Sequence, residues 1–293
     1  MKWDEMRESD NVEDERGNGS SSGSGSSSAN LLGGLGAGGM AIAVIIGLIF
    51  KVDPAQILSF LTSTKTAPAP QALVKTPIKD RDSAFVKSVL GDTEDTWAKI
   101  FKQQLKTNYQ PPKLVLFDGS VNSACGSAQT SAGPFYCPAD SKVYLDMGFF
   151  KYLEATAGDD ADFARAYAIA HEVGHHIQNL RGTSGKVRQL KSGSSKTQAN
   201  ELSVRIELQA DCLAGVWGHF ASQRQLIGDR DIAKALDTAT QIGDDYLQKQ
   251  SRGGHVIPES FTHGTSQQRV TWFKRGLEAG NIDQCDTFAA QQL

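Results

Sequence analysis

The feature that most constrains this chain of 293 residues is His171-Glu-Val-Gly-His175. Two imidazoles four residues apart share one face only if the segment is helical. The surroundings agree, because Phe163, Tyr167, Ile169 and Ile177 continue an apolar helical pattern over residues 160–180. On that face both rings can reach one ion, and Glu172 can meet a water beside the ion rather than the ion itself. Gly174 weakens such a helix by about 1 kcal/mol relative to alanine. A second backbone is therefore expected to pass close to it. His176 is out of phase with the pair and reads as a supporting or structural residue.

Zinc bound in this way needs a third protein ligand and an open position. A second long helix, expected over residues 197–223, offers Glu207-Leu-Gln-Ala-Asp211. Glu207 and Asp211 share a face, so Glu207 can bind the metal while Asp211 accepts the free N–H of a ligating histidine. Glu201 competes as third ligand but has no acid four residues on. A merely solvated acidic face does not explain why these acids lie among Ala210, Leu213, Ala214, Val216 and Trp217.

The remaining pattern predicts a helix over residues 82–105 with a break at Gly91-Asp92, and strands at 113–117 and 141–146. A short helix is expected at 147–155, a polar connection at 181–196, and further helices at 229–250 and 266–279. The fold class is α+β, helix-rich with a small sheet. Lys and Arg total 30 against 33 Asp and Glu, a net charge of −3, which argues against a nucleic-acid partner.

Residues 1–30 hold seven acids against Lys2, Arg7 and Arg16, followed by Gly and Ser, and read as a disordered tail. Residues 31–50 carry no charge and match the hydrocarbon thickness of a bilayer, so they read as an uncleaved membrane-spanning helix. A cleaved signal peptide would have a basic start, which is absent here. Gly34-x-Gly36-x-x-Gly39 follows no strand and is no phosphate loop. Residues 51–77, with Ala67-Pro-Ala-Pro70, read as a linker, and residues 78–293 as the folded domain.

Four cysteines, Cys125, Cys137, Cys212 and Cys285, follow the apolar stretch and form no Cys-x-x-Cys pair. Two disulfides, Cys125 with Cys137 and Cys212 with Cys285, suit an oxidising compartment. Four buried reduced thiols are the alternative. None of the four stands in the setting of a catalytic nucleophile.

The chain resembles the gluzincin metalloproteases, and more narrowly the bacterial neutral zinc metallopeptidases with an N-terminal membrane anchor. The likeness runs over nearly the whole chain. It is carried by Glu8-Ser-Asp-Asn-Val-Glu13, Gly133-Pro-Phe-Tyr-Cys137-Pro, Val143-Tyr-Leu-Asp146, His171-Glu-Val-Gly-His-His176, Glu207-Leu-Gln-Ala-Asp-Cys212 and Ser260-Phe-Thr-His-Gly264. It implies a zincin-like domain holding Zn2+ on His171, His175 and Glu207, with Glu172 as general base in peptide hydrolysis. The implied place is the bacterial inner membrane, crossed once, with the domain facing the periplasm. The substrate is then a peptide or protein, which the strand at Val143–Asp146 would receive along its edge.

The Thr262-His263 segment, with Arg269, is similar to a Thr-His-Pro…Arg segment of prenyl-protease-like membrane zincins, with glycine in place of proline. It makes His263 the expected oxyanion donor, helped by Arg269. His255 and Tyr144 are its rivals. The reading from another class is a membrane-tethered zinc scaffold without catalysis. Cleavage specificity and oligomeric state are not coded in any of these motifs.

Overall fold

In the computed structural model of the chain the described residues are 1–16, 80–129, 133–148, 150, 161–251 and 254–293. A four-stranded sheet runs in the order β1 (Val12–Asp14), β2 (Lys113–Phe117), β6 (Lys142–Asp146) and β5 (Phe135–Cys137). β1 and β6 lie parallel to β2, and β5 antiparallel to β6. The period of two divides the side chains between the sheet's faces. Leu114, Leu116, Val143 and Leu145 enter the main core, with Phe85, Trp97, Phe163 and Trp217. Val115, Phe117 and Tyr144 form a smaller cluster with Val121 and Ala128, from the hairpin β3 (Ser120–Ser123) and β4 (Gly126–Gln129).

The helices α1 (Arg81–Ile100), α2 (Ala161–Leu180), α3 (Thr183–Ser192), α4 (Lys196–Gln223), α5 (Asp229–Gln241), α6 (Asp244–Ser251) and α7 (Ser266–Ala279) make up the rest. Reciprocal side-chain caps start three of them: Asp80 with Ser83, Ser195 with Gln198, and Thr265 with Gln268. α4 and α7 meet backbone to backbone. A Cβ on Gly276 would lie 1.9 Å from the Cys212 carbonyl oxygen, and one on Gly215 would lie 2.1 Å from that of Phe273. Beside this crossing Cys212 is bonded to Cys285, and Cys125 to Cys137, so both expected disulfides are formed.

Several expectations need correction. Residues 1–16, read as part of a disordered tail, contain β1 and a short 3-10 turn at Trp3–Glu5 that pack on the domain. Their acids do not repel the fold, because Glu13 is held between Lys113 and Lys142 at 2.7 and 2.6 Å. Gly91 is no break: α1 runs straight through it, and the missing side chain leaves room for the Arg7 carbonyl. Residues 183–192 of the expected polar connection are helix α3. The single helix expected over 229–250 is split at Gly243, where a Cβ would meet the Ser266 amide at 2.1 Å. Among the described residues no helix is long and apolar enough to cross a membrane, and the expected span at 31–50 lies outside them. So do the linker and most of the short helix at 147–155.

Gly276→Leu should lower stability by about 3 kcal/mol, because overpacking here displaces backbone. Gly185→Ala, at a helical position with nothing within 4 Å, should raise it by up to about 1 kcal/mol. Thermal unfolding of the two variants checks both signs.

Candidate metal centre

α2 and α4 cross where Gly174 faces Ala210. A Cβ on Gly174 would lie 3.0 Å from the Ala210 carbonyl oxygen, which is the close approach its sequence context suggests. Ala210 sits between Glu207 and Asp211, so this contact sets α4 beside the two histidines of α2. His171 Nε2 lies 3.2 Å from one Glu207 oxygen, and His175 Nε2 lies 3.6 Å from the other. The three ligand atoms fall within 4.8 Å of one another. Ligands on a tetrahedral zinc at the usual bond lengths stand about 3.3 Å apart, so the spacing and the nitrogen, nitrogen, oxygen donor set fit that ion.

The rings are turned by their other nitrogens. His171 Nδ1 is 2.9 Å from Asp211 Oδ1, and His175 Nδ1 is 2.9 Å from Gln178 Oε1. Asp211 is fully buried, and the same oxygen accepts from the Tyr167 hydroxyl and from Arg269 Nη2 at 2.8 Å. Arg269 thus reaches the site through Asp211, and no hydrogen bond between it and His263 is found among the described residues.

The acid–base balance follows from burial and charge. Burial opposes the charged form of His171, but hydrogen bonds to Asp211 and Glu207 outweigh it and raise the ring to about 10. His175 is likewise opposed by burial and raised by Glu207. Burial works against charge on Glu207 too, yet the two histidines hold it well below the usual carboxylate range. Glu172 is pushed up by burial, against the pull of His175 and His171. A smaller lowering influence comes from the backbone of Tyr136 on β5.

His263 stands at the turn before α7. Its Nδ1 is 3.3 Å from Asp244 Oδ1, and it adds a smaller part to the pull that lowers Glu207. Asp244 Oδ2 accepts from the backbone N–H groups of Thr262, His263 and Gly264 at 2.7, 2.6 and 3.0 Å. This buried acid was missed in the sequence. Its only signal there is the helix-starting Gly243-Asp244 inside what reads as one continuous helix.

The rivals fall elsewhere. Tyr144 donates to Asp140 on the outer face of the sheet, and His255 and Glu201 are exposed. His176 is buried and joins α2 to Tyr136 and to the Gln110 carbonyl, a structural role. β6 lies between β2 and β5, so it presents no edge; β5 is the strand at the margin.

A ligating histidine must be neutral, whereas Glu207 and, at His171, Asp211 raise the rings' affinity for protons, so metal and protons compete for the same nitrogens. Zinc binding at pH 7 should release about one proton per chain, from His171, and affinity should fall as the pH is lowered. Titration of zinc in buffers of different ionisation enthalpy measures this. Asp211→Asn should weaken zinc about 10–100-fold.

The family model described as "Putative neutral zinc metallopeptidase" matches residues 1–288. The chain is 45% identical over 288 residues to the uncharacterized protein YpfJ of Escherichia coli (strain K12), a match spanning 98% of this chain and 99% of that one. It is 41% identical over 200 residues to an uncharacterized protein of Mycobacterium tuberculosis (strain ATCC 25618 / H37Rv), spanning 64% of this chain and 66% of the relative. No solved structure gives a significant match. With its whole length matched and its two histidines and glutamate gathered in one place, the chain belongs to this family of neutral zinc metallopeptidases.

Proposed function

We propose that the protein is a zincin-like endopeptidase that holds zinc on His171, His175 and Glu207 and hydrolyses peptide bonds with Glu172 as general base. The observation that carries this reading is the position of Glu172. It follows a ligand on the same helix, and its carboxylate is partly desolvated beside His171, His175 and the Tyr136 backbone of the marginal strand β5. Zinc at this site would supply Lewis acidity and a readily deprotonated water.

The protein's own groups do the rest. Glu172, with its proton affinity raised by burial, takes a proton from the attacking water and hands it to the leaving amine. The edge of β5 away from β6 has no strand partner among the described residues, so an extended peptide can add there by backbone hydrogen bonds. Such a peptide runs past Tyr136, whose backbone lies near Glu172, and so brings a scissile bond to the base. His263, steadied by Asp244, is the donor for the oxyanion. The substrate is accordingly a peptide or an unfolded stretch of protein. The two disulfides support an oxidising compartment, the periplasm or cell exterior.

Glu172→Gln should retain about one zinc per chain and lose turnover of an unfolded protein or peptide library. Turnover near the wild-type rate in the zinc-loaded variant would remove Glu172 from the base role. His263→Ala should keep zinc and lower kcat about 10²–10³-fold. If neither wild type nor variants cleave any peptide while zinc binds fully, the noncatalytic scaffold takes precedence.

A further inference from the structure

The seating of residues 1–16 bears on how the chain meets a membrane. The segment is held at separate places along its length. Lys2 N–H donates to the Leu226 carbonyl at 2.8 Å, and Ser9 N–H to Lys87 at 3.0 Å. Leu114 N–H donates to Asn11, and Glu15 N–H to Leu116, each at 2.8 Å, as β1 pairs with β2.

The domain is also shaped to receive it. Glu94 of α1 is 8% exposed, and its side-chain hydrogen-bond donors are Arg7 Nη2 at 2.8 Å, Ser9 Oγ at 2.6 Å and Asn11 Nδ2 at 2.8 Å. All three belong to the segment. Without it, a largely buried carboxylate would lose these partners, which is costly. Gly91, one turn earlier, has room for the segment only because it lacks a side chain: a Cβ would stand 2.1 Å from the Arg7 carbonyl oxygen. A helix glycine and a buried glutamate thus both have their explanation in residues 7–11.

We infer that residues 1–16 and the domain from residue 80 onward occupy one compartment, on the same side of any bilayer the chain meets. A single crossing would place a hydrocarbon layer of about 30 Å between β1 and β2, which are hydrogen-bonded neighbours. The inference replaces the single-pass topology expected from hydropathy. It does not depend on the peptidase reading.

The test uses the full chain in a bacterium and a membrane-impermeant maleimide. The natural cysteines are all disulfide-bonded, so a new thiol reports alone. Asp4→Cys in the segment and Glu278→Cys on α7 replace exposed residues. Both should label to the same extent in intact cells, or both only after permeabilisation. One labelled in intact cells and the other at least tenfold more only after permeabilisation would overturn the inference.

Ser9→Cys reports the docking itself. Ser9 is 2% exposed, so this thiol should react at least tenfold more slowly than Asp4→Cys, and the difference should vanish when Gly91→Val blocks the seat. A Ser9→Cys thiol that reacts as fast as Asp4→Cys with Gly91 intact would show the segment undocked and overturn the inference.

Discussion

One buried carboxylate oxygen, Asp211 Oδ1, holds the candidate site together. Tyr167 and His171 reach it from α2, Arg269 reaches it from α7, and it belongs to α4. Three helices far apart in sequence are thus referred to one point. A buried carboxylate is expensive unless its charge is matched and its lone pairs are used. Here Arg269 matches the charge, and the histidine and phenol take lone pairs of Oδ1, while the buried Oδ2 has no hydrogen-bond partner among the described residues. Burial raises the proton affinity of Asp211, but Arg269 and His171 outweigh that and keep it ionised. His171 is thereby locked with Nε2 turned toward Glu207. The glycine contacts serve the same end, because Gly174 against Ala210 and Gly276 against Cys212 bring the three backbones close enough for short side chains to meet.

The metal centre was legible because it is built from helical spacings. His171 with His175, and Glu207 with Asp211, are each four apart, and a helix turns that number directly into a shared face. Gly174 was legible for a related reason, as a residue a helix would not choose unless something passed close by. β1 was not legible. Its three residues are flanked by acids and precede a Gly and Ser run, and what makes it a strand is Lys113 and Lys142, a hundred residues or more away in sequence. Gly91 was misread for the same reason, since the backbone it accommodates comes from Arg7. Position in a sheet was hidden too. Val143–Asp146 has the alternation of a strand, but alternation does not say whether a strand is central, and parallel pairing with β2 makes it so.

His263 shows what a motif leaves out. The Thr-His-Gly segment marks the residue, but the residue's usefulness depends on where its ring is held. Asp244 fixes that with one oxygen on three successive backbone amides and the other on the ring. Asp244 begins α6, and Gly243 before it admits the Ser266 backbone, so this turn and the start of α7 are one packed unit. The break in what reads as a single helix is therefore what brings Asp244 to the site.

Charge explains why such a cluster favours a divalent cation. Glu172, Glu207 and Asp211 are three carboxylates close together, and Arg269 balances one of them. The raised proton affinities of His171 and His175 are the site's answer to Glu207 and, at His171, to Asp211 as well, and a divalent cation there would meet the same negative charge. Two neutral imidazoles with one carboxylate favour a borderline ion such as zinc over calcium or magnesium, which prefer oxygen donors. The buried framework around Asp211 already turns His171 Nε2 toward Glu207, so the side chains that would bind the ion lie close together before any ion is considered.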